Sequence, residues 1–177
     1  MNYSISILSS FNPLFLALLL ISGLLIGKAI YTYKVFPDLR GKAIREILIG
    51  VPITLLILGL FIVTPLISGI SVNKNELSLR LPTGFTFTTY TGDDILSAKV
   101  VDLENQPEYA VKSKVIGTKI RDYREGIFKL ENGTEAEVLL NGKKALYVET
   151  TGKPLLLAPD HFDNFLKDFS ENIKPVQ

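Results

Sequence analysis

The stretch that decides the fold of the second half of the chain is "RDYREGIFKLENGTEAEVLL", residues 121–140. Four apolar residues alternate with polar ones on either side of Asn132-Gly133: Phe128, Leu130, Ala136 and Val138. Alternation with a period of two is typical of a half-buried strand. Asn-Gly tolerates the positive φ that a tight connection needs. The stretch therefore predicts two paired antiparallel strands.

The same period continues on both sides of this hairpin. "ELSLRL" places Leu77, Leu79 and Leu81 on one face, and "FTFTTY" repeats the pattern with Phe85 and Phe87. Further strands are predicted by three segments: "ILSAKVVDL", "YAVKSKVI" with Val111 and Val115, and "LLLAP". Asn141-Gly142 is a second hairpin signal and leads into "KKALYVET". The sequence predicts an all-β sandwich or barrel of about seven antiparallel strands.

The C-terminal segment changes to the period of a helix, which is predicted for residues 160–173. Five apolar residues share one face at this spacing: Phe162, Phe165, Leu166, Phe169 and Ile173. Asp160 is a good N-cap residue, and Asp163 suits the first turn. A helix with this apolar face must cover something, and the open end of the predicted sandwich is the natural target.

Two long apolar runs precede the β region. Residues 1–27 and 47–73 contain no charged side chain, whereas a helix needs roughly 20 apolar residues to cross the hydrocarbon core. The runs predict transmembrane helices at about 7–27 and 47–70, joined by a basic loop at 28–46. The start of the chain has no positive residues and its apolar run is long, so we interpret the first span as a retained helix rather than a signal peptide. Residues 1–73 are then a helical hairpin and residues 74–177 a separate β domain.

The charges of the predicted loop indicate the orientation. It carries five basic residues against Asp38 and Glu46: Lys28, Lys34, Arg40, Lys42 and Arg45. Lys and Arg near spans stay on the cytoplasmic side. An integral protein of the plasma membrane is therefore expected, with the loop in the cytoplasm and the C-terminal domain outside it. Gly23 and Gly27 form a small-xxx-small pair that allows close helix approach, within the hairpin or in a homo-oligomer.

The order of these elements, an all-β domain followed by one amphipathic helix, resembles the pleckstrin-homology (PH) superfold and a bacterial PH-like family of small membrane-associated proteins. The residues that carry the resemblance are structural: Gly117, Tyr123, Gly126, Phe128, Leu130, Asn132-Gly133, Ala136, Val138, Leu156, Leu157, Pro159, Asp160 and Phe165. It covers roughly residues 77–169 and leaves the spans outside. The resemblance implies a PH-like domain and supplies no catalytic residues.

One segment is densely basic, "KSKVIGTKIRDYR". It contains five positive side chains, interrupted by Asp122: Lys112, Lys114, Lys119, Arg121 and Arg124. A basic loop grips phosphorylated headgroups in eukaryotic PH domains, and an anion or acidic-partner patch is the functional hypothesis here. The competing interpretation is a solvated edge strand whose lysines prevent edge-to-edge pairing.

The sequence contains no pattern that indicates a catalytic or metal site. The chain has no Cys and a single His, His161, so a His or Cys metal cluster is excluded. Asp93-Asp94 follows a Gly and indicates a turn rather than an acid/base pair, and Ser97 with Lys99 lacks an oxyanion motif. The formal net charge of +1 gives no reason to expect nucleic acid. No cofactor, metal or catalytic site is expected.

The sequence leaves three functional hypotheses. The first is a membrane-anchored PH-like binding or scaffold protein, with the bilayer and a membrane protein or peptide as partners. The second is an accessory subunit of a larger membrane complex, held by its spans. The third, an enzyme acting on lipid or envelope polymer, lacks the spacing of a nucleophile and its base.

Overall fold

The computed structural model describes residues 1–4, 13–59, 67–120 and 122–177. These residues divide into two compact units. Residues 13–59 form the helical unit, and residues 1–4 together with those from 67 onward form the β unit. The boundary predicted at 73/74 is therefore misplaced, because a strand already begins at Gly69 and the first residues of the chain pair with it. Non-local pairing of this kind leaves no local signal.

The helical unit contains α1, Pro13–Val35, and α2, Arg40–Leu58. The predicted loop 28–46 is mostly helical, since only residues 36–39 separate the two helices. Lys, Arg, Glu and Ala are good helix formers, so the charged flanks continue both helices. Ala29 and Ala43 are fully buried, and Ile26 packs where a Cβ of Gly50 would point.

One helix within the described residues is long and apolar enough to cross a membrane by length and composition, Leu16–Val35. A signal sequence near the N-terminus satisfies the same criterion. The candidate span Leu16–Val35 lies further along the chain than the predicted span 7–27. Of the predicted span 47–70, α2 covers the first part, residues 60–66 lie outside the described residues, and Gly69 and Ile70 belong to a strand. The structure thus supports one candidate span, and the second span stays a prediction.

The β unit consists of two sheets and a C-terminal helix, with ten strands among the described residues. The first sheet has the order β1-β2-β3-β4 and is antiparallel throughout. Its strands are β1 Asn2–Tyr3, β2 Gly69–Asn73, β3 Glu76–Leu81 and β4 Thr86–Thr91. The second sheet has the order β5-β9-β10-β8-β7-β6. Its strands are β5 Ile95–Asp102, β6 Val111–Ile120, β7 Tyr123–Leu130, β8 Glu135–Asn141, β9 Lys144–Thr150 and β10 Leu155–Ala158.

The hairpin around Asn132-Gly133 is confirmed, since β7 and β8 pair antiparallel with Phe128 opposite Ala136. The second predicted hairpin is wrong. β8 and β9 are joined through Asn141-Gly142 but do not pair, because β10 lies between them, parallel to β8 and antiparallel to β9. The sheet is therefore mixed rather than antiparallel. Leu155, Leu156 and Leu157 are fully buried, and this apolar central strand separates its neighbours.

The C-terminal helix α3, Phe162–Asn172, confirms the amphipathic prediction. Phe165 and Phe169 are fully buried in the core between the sheets, and Phe162, Leu166 and Ile173 pack against it. The predicted N-cap is wrong by one residue. His161 holds that position at φ 55° and makes no side-chain cap bond.

Two further assignments in the β unit are wrong. Phe85 and Phe87 point outward, because β3 and β4 pair Leu81 with Thr86, and a buried Leu81 forces its opposite residue inward. Val115 is half exposed, because β6 is interrupted by two register shifts against β7. A large apolar side chain does not fix the face when a turn or bulge changes the register.

Candidate binding surfaces of the β unit

The predicted basic patch lies on β6 and β7, and the structure divides it into two groups. Lys112 and Lys114 lie towards one end of β6, whereas Lys119 lies at the other end, directly opposite Arg124 on β7. At about 3.4 Å per residue, Lys114 and Lys119 are roughly 17 Å apart. Arg121 lies outside the described residues. A single small anion therefore cannot contact the whole set.

The first group lies on a protected edge. β6 is the last strand of its sheet, and its residues 112–116 are all exposed. Lys112 Nζ lies 3.3 Å from Glu131 Oε2, with both side chains about half exposed. Such a pair contributes roughly 0–1 kcal/mol. Lysines and bulges are devices that prevent strand addition, so this surface favours contact through side chains rather than through an added strand.

The second group brings like charges together. Lys119 and Arg124 are directly opposite on paired strands, an arrangement that is unfavourable without a counter-charge. Arg124 donates from a terminal nitrogen to the Asp122 carbonyl at 3.1 Å. Its Nε is buried and has no hydrogen-bond partner among the described residues. This end of the β6–β7 hairpin therefore carries two positive side chains on facing strand positions.

A buried carboxylate, Glu125, organises the end of the β unit at which the chain enters it from the helical segment. Glu125 is 0% exposed and accepts three hydrogen bonds. They come from Ser68 Oγ at 2.9 Å, the Thr83 N–H at 2.9 Å and the Tyr123 hydroxyl at 2.7 Å. Burial, followed by the charge of Glu125, raises the pKa of Tyr123. A buried acid needs such donors. Sequence reasoning missed Glu125, although its alternation with Tyr123 signals an inward position.

Three glycines bring a 3-10 turn, Pro82–Gly84, against this hairpin. A Cβ on Gly84 would lie 2.7 Å from the Gly126 Cα, and a Cβ on Gly126 would lie 2.3 Å from the Ile116 carbonyl oxygen. Gly117 and Gly126 are opposite each other, with φ of +132° and +124°. Only glycine fits this backbone approach. We call Ser68, the turn Pro82–Gly84, Phe85, Phe87 and the Gly126 position the entry end.

The entry end displays two aromatic rings to solvent. Phe85 is 80% exposed and Phe87 is 65% exposed. Phe85 is also left-handed, with φ 53° and ψ 29°, a conformation that costs a non-glycine residue on the order of 1–3 kcal/mol. Arg80, also exposed, pairs with Phe87 across the strands. An exposed ring on a strained, well-held backbone is the pattern of a functional surface rather than of a packing defect.

Two more tyrosine–carboxylate pairs hold the unit together. Tyr90 of β4 donates to Glu137 of β8 at 3.0 Å and so joins the two sheets; burial raises the pKa of Glu137. Tyr3 of β1 donates to Asp168 of α3. Burial and then the bond to Asp168 raise the pKa of Tyr3 to about 12. Glu137 and Asp168 are therefore held inside the fold by tyrosine hydroxyls.

The residues weighed for catalysis are not brought together. Asp94 accepts from the Thr91 N–H and hydroxyl, which lowers the pKa of its carboxyl and confirms a turn. Ser97 donates to Glu149 at 3.0 Å, while Lys99 donates to Tyr109 and lies 4.6 Å from its ring centroid. His161 is exposed. Within the part of the chain that the structure describes, no group of three or more His, Cys, Asp or Glu could hold a metal ion.

Two sheets closed by a C-terminal helix define a PH-like β domain. Residues 69–173 match the sequence model of the family described as "Bacterial PH domain". This match covers more than half of the 177 residues, and the chain belongs to that family. No curated protein and no solved structure matches the chain.

Proposed function

We propose that the chain is a membrane-anchored bacterial PH protein that binds a partner and performs no catalysis. The observation that carries the proposal is the pairing of β1 with β2. Asn2 lies opposite Ser71, and Tyr3 opposite Ile70, so the chain leaves this sheet before α1 and returns to it after α2. A sheet lies on one side of a membrane. The intervening segment therefore crosses an even number of times.

The helical unit favours two crossings over none. Its apolar side chains are largely exposed, with Leu20 67%, Leu24 72%, Leu48 67% and Leu55 62% exposed. In water this surface would be a large uncovered apolar patch, whereas hydrocarbon covers it at no cost. The same pairing favours retention of the first span, because cleavage after it would remove β1 together with its bond from Tyr3 to Asp168.

The orientation follows from the basic residues between and beside the helices. Two exposed residues serve as markers of the two sides. Asp38 lies in the connection between α1 and α2, and Asp93 lies in the β4–β5 turn. Since Lys and Arg in this region remain in the cytoplasm, the connection faces the cytoplasm and the β unit faces outward.

The absence of cysteine from the sequence makes this topology directly testable. Asp93→Cys and Asp38→Cys each give a protein with a single thiol. A membrane-impermeant maleimide applied to intact cells, or to spheroplasts if an outer layer blocks it, should label Asp93→Cys. It should label Asp38→Cys only after lysis. Labelling of Asp38→Cys alone before lysis would reverse the orientation, and labelling of only one variant after lysis would point to a buried thiol in the other.

The partner surface that we propose is the exposed run 112–116 of β6. It presents Lys112 and Lys114 beside Val115, which is 52% exposed, and Ile116, which is 38% exposed. Apolar side chains with a basic rim are the anatomy of a protein interface. The complementary partner is a protein surface with acidic residues around an apolar centre.

A photo-crosslinking residue in place of Val115 tests this surface in the native membrane. Leu96, on β5, is the matched control because it is 55% exposed and equally apolar. We expect one defined protein adduct from position 115 and none from position 96. Lys112→Glu with Lys114→Glu should abolish the adduct, while Lys143→Glu with Lys167→Glu should not. Equal adducts from both positions would refute the surface.

The non-catalytic part of the proposal rests on the described acids. Glu125, Glu137 and Asp168 are each engaged by a tyrosine hydroxyl inside the fold. They therefore stabilise packing and are not positioned in a cleft towards a substrate. The test is whether a variant that combines Asp93→Asn, Ser97→Ala and His161→Ala restores the wild-type phenotype to a strain from which the gene is deleted. Restoration would support this interpretation, and failure with an intact fold would favour an enzyme.

An accessory subunit held by its helices is the alternative, and one observation favours it. Apart from the chain neighbours and the backbone of α1 itself, no described atom lies within 4 Å of a Cβ built on Gly23 or Gly27, so the contact between α1 and α2 does not use this face. Gly23→Leu with Gly27→Leu should dissociate a partner helix or a second copy, which blue native electrophoresis would detect. An unchanged mobility of the native assembly would reject this alternative.

A further inference from the structure

We propose that the entry end of the β unit inserts its two exposed rings, Phe85 and Phe87, into the interfacial layer of the membrane that anchors the chain. The inference rests on the proposed anchoring. It gives the β unit a fixed docked orientation and makes lipid headgroups the ligand of the entry end.

The placement of the rings follows from strand pairing. Gly69, the first residue of β2, pairs with Arg80, and Arg80 pairs with Phe87. Neighbouring strands are about 4.8 Å apart, so the Phe87 backbone lies roughly 10 Å from Gly69. Residue 67 is still helical and apolar. A chain that leaves the bilayer here cannot carry Gly69 far from the headgroups, and Phe87 stays at a similar depth.

The backbone of the entry end is held rigidly in this position. Ser68 and Thr83 both donate to the buried Glu125, which fixes the residue before β2 and the 3-10 turn on one carboxylate. Phe85 follows this turn directly. Its strained backbone aims the ring outward, where 80% of the residue is exposed. Strain and apolar exposure together require a compensating environment, and hydrocarbon at the interface supplies it.

The charges beside the rings fit lipid phosphate. Arg80 is exposed and lies opposite Phe87 on the paired strand. Arg124 and its opposite residue Lys119 lie in the β6–β7 hairpin, and Arg124 is two residues before Gly126, which the turn contacts. The buried Arg124 Nε lacks a partner among the described residues. Asp122 is the acidic residue in the same hairpin connection. Aromatic rings at headgroup depth with flanking Arg and Lys are the pattern of membrane-interface anchors.

The absence of tryptophan from the sequence provides the test. Phe85→Trp and Phe87→Trp each give a single-Trp protein, which is examined as the full chain in nanodiscs containing phosphatidylcholine and phosphatidylglycerol. Brominated acyl chains quench a Trp that reaches them. Leu20→Trp in α1 reports the anchor. Leu96→Trp is the control for an exposed apolar position at the opposite end of the β unit, next to the β4–β5 turn.

We expect blue-shifted emission and quenching by bromolipid for Phe85→Trp, Phe87→Trp and Leu20→Trp, and solvent-like emission without quenching for Leu96→Trp. Phe87 lies in a regular strand, so its variant keeps the test valid if substitution of the strained Phe85 disturbs folding. If Leu20→Trp is quenched but both entry-end variants are not, membrane docking is refuted while the anchor stands, and the rings belong to a protein interface. If Leu20→Trp is not quenched, the anchor itself fails.

Discussion

Replacement of Gly126 by Ala is the sharpest test of how the entry end is built. Gly126 lies in β7 with a φ of +124°, opposite Gly117. A Cβ at this position would lie 2.3 Å from the Ile116 carbonyl oxygen and 2.7 Å from the Gly117 Cα. Both are backbone atoms of a paired strand, so no rotamer change relieves the overlap. The β6–β7 ladder itself must shift.

The magnitude follows from two separable contributions. A positive φ costs an L residue roughly 1–2 kcal/mol. Overpacking against atoms that cannot move adds about 1–3 kcal/mol. Gly126→Ala should therefore lower the free energy of unfolding by about 2–5 kcal/mol. Gly133 isolates the first contribution, since its φ is +88° and nothing lies within 4 Å of its Cβ position. Gly133→Ala should cost about 1–2 kcal/mol.

The assay is urea unfolding of the full chain in mild detergent, followed by near-ultraviolet circular dichroism of the buried tyrosines. Both variants should keep the wild-type slope, and the midpoint for Gly126→Ala should lie clearly below that for Gly133→Ala. Equal midpoints would show that backbone conformation alone requires glycine. A higher midpoint for Gly126→Ala would refute the close contact between Gly126 and the Ile116–Gly117 backbone of β6.

The remaining predictions concern the three buried acids. Glu125→Leu leaves its three donors without an acceptor, at a cost of about 1–3 kcal/mol each. This variant should unfold at a much lower urea concentration than the exposed control Glu135→Leu, whose surface ion pair contributes at most about 1 kcal/mol. Similar midpoints would refute the hydrogen-bond network around Glu125. Burial raises the pKa of Glu137 above its ordinary 4.5. The stability that the protonated Glu137 carboxyl contributes is therefore fully present below pH 4.5, and it is lost as the pH rises through the folded-state pKa. Glu137→Gln should therefore gain stability relative to the wild type between pH 4 and pH 7 in parallel urea titrations, and a difference that does not vary with pH would contradict the raised pKa. Tyr3 has a pKa raised from 10.0 to about 12, so the wild type should lose stability as the pH rises through that interval while Tyr3→Phe loses less; identical alkaline profiles would refute the bond to Asp168.

Composition and periodicity predicted the parts of the fold that are local. Leu77, Leu79 and Leu81 alternate and are buried, and Phe165 and Phe169 recur at helical spacing and are buried. In these segments the apolar pattern and the packed face coincide, because no bulge or special turn interrupts them. The family resemblance rests on such residues, and the match over residues 69–173 confirms it.

The entry end could not be predicted, because non-local geometry determines it. The register of β4 follows from Leu81 opposite Thr86, and that pairing depends on a left-handed Phe85 that no propensity scale favours. Large aromatic residues are usually assigned to the core, so the alternation predicts Phe85 and Phe87 on the inner face. The same limit applies to Glu125, whose donors include residues far away in the sequence.

The pairing of β1 with β2 connects the folding of the β unit to the helical segment. Two residues of the first sheet precede α1, and the rest follow α2. On the two-crossing topology that we propose, the edge of the sheet is completed only when the helices have returned the chain to the side from which it started. A β unit that folded before the second crossing would lack Tyr3, its bond to Asp168 and its edge-to-face contact with Phe165, whose ring centroid lies 5.4 Å away. We therefore expect deletion of α2, which leaves a single crossing and places β1 and β2 on opposite sides, to abolish the protease resistance of α3 in membranes. Full resistance of this variant would show that β1 is dispensable for the fold.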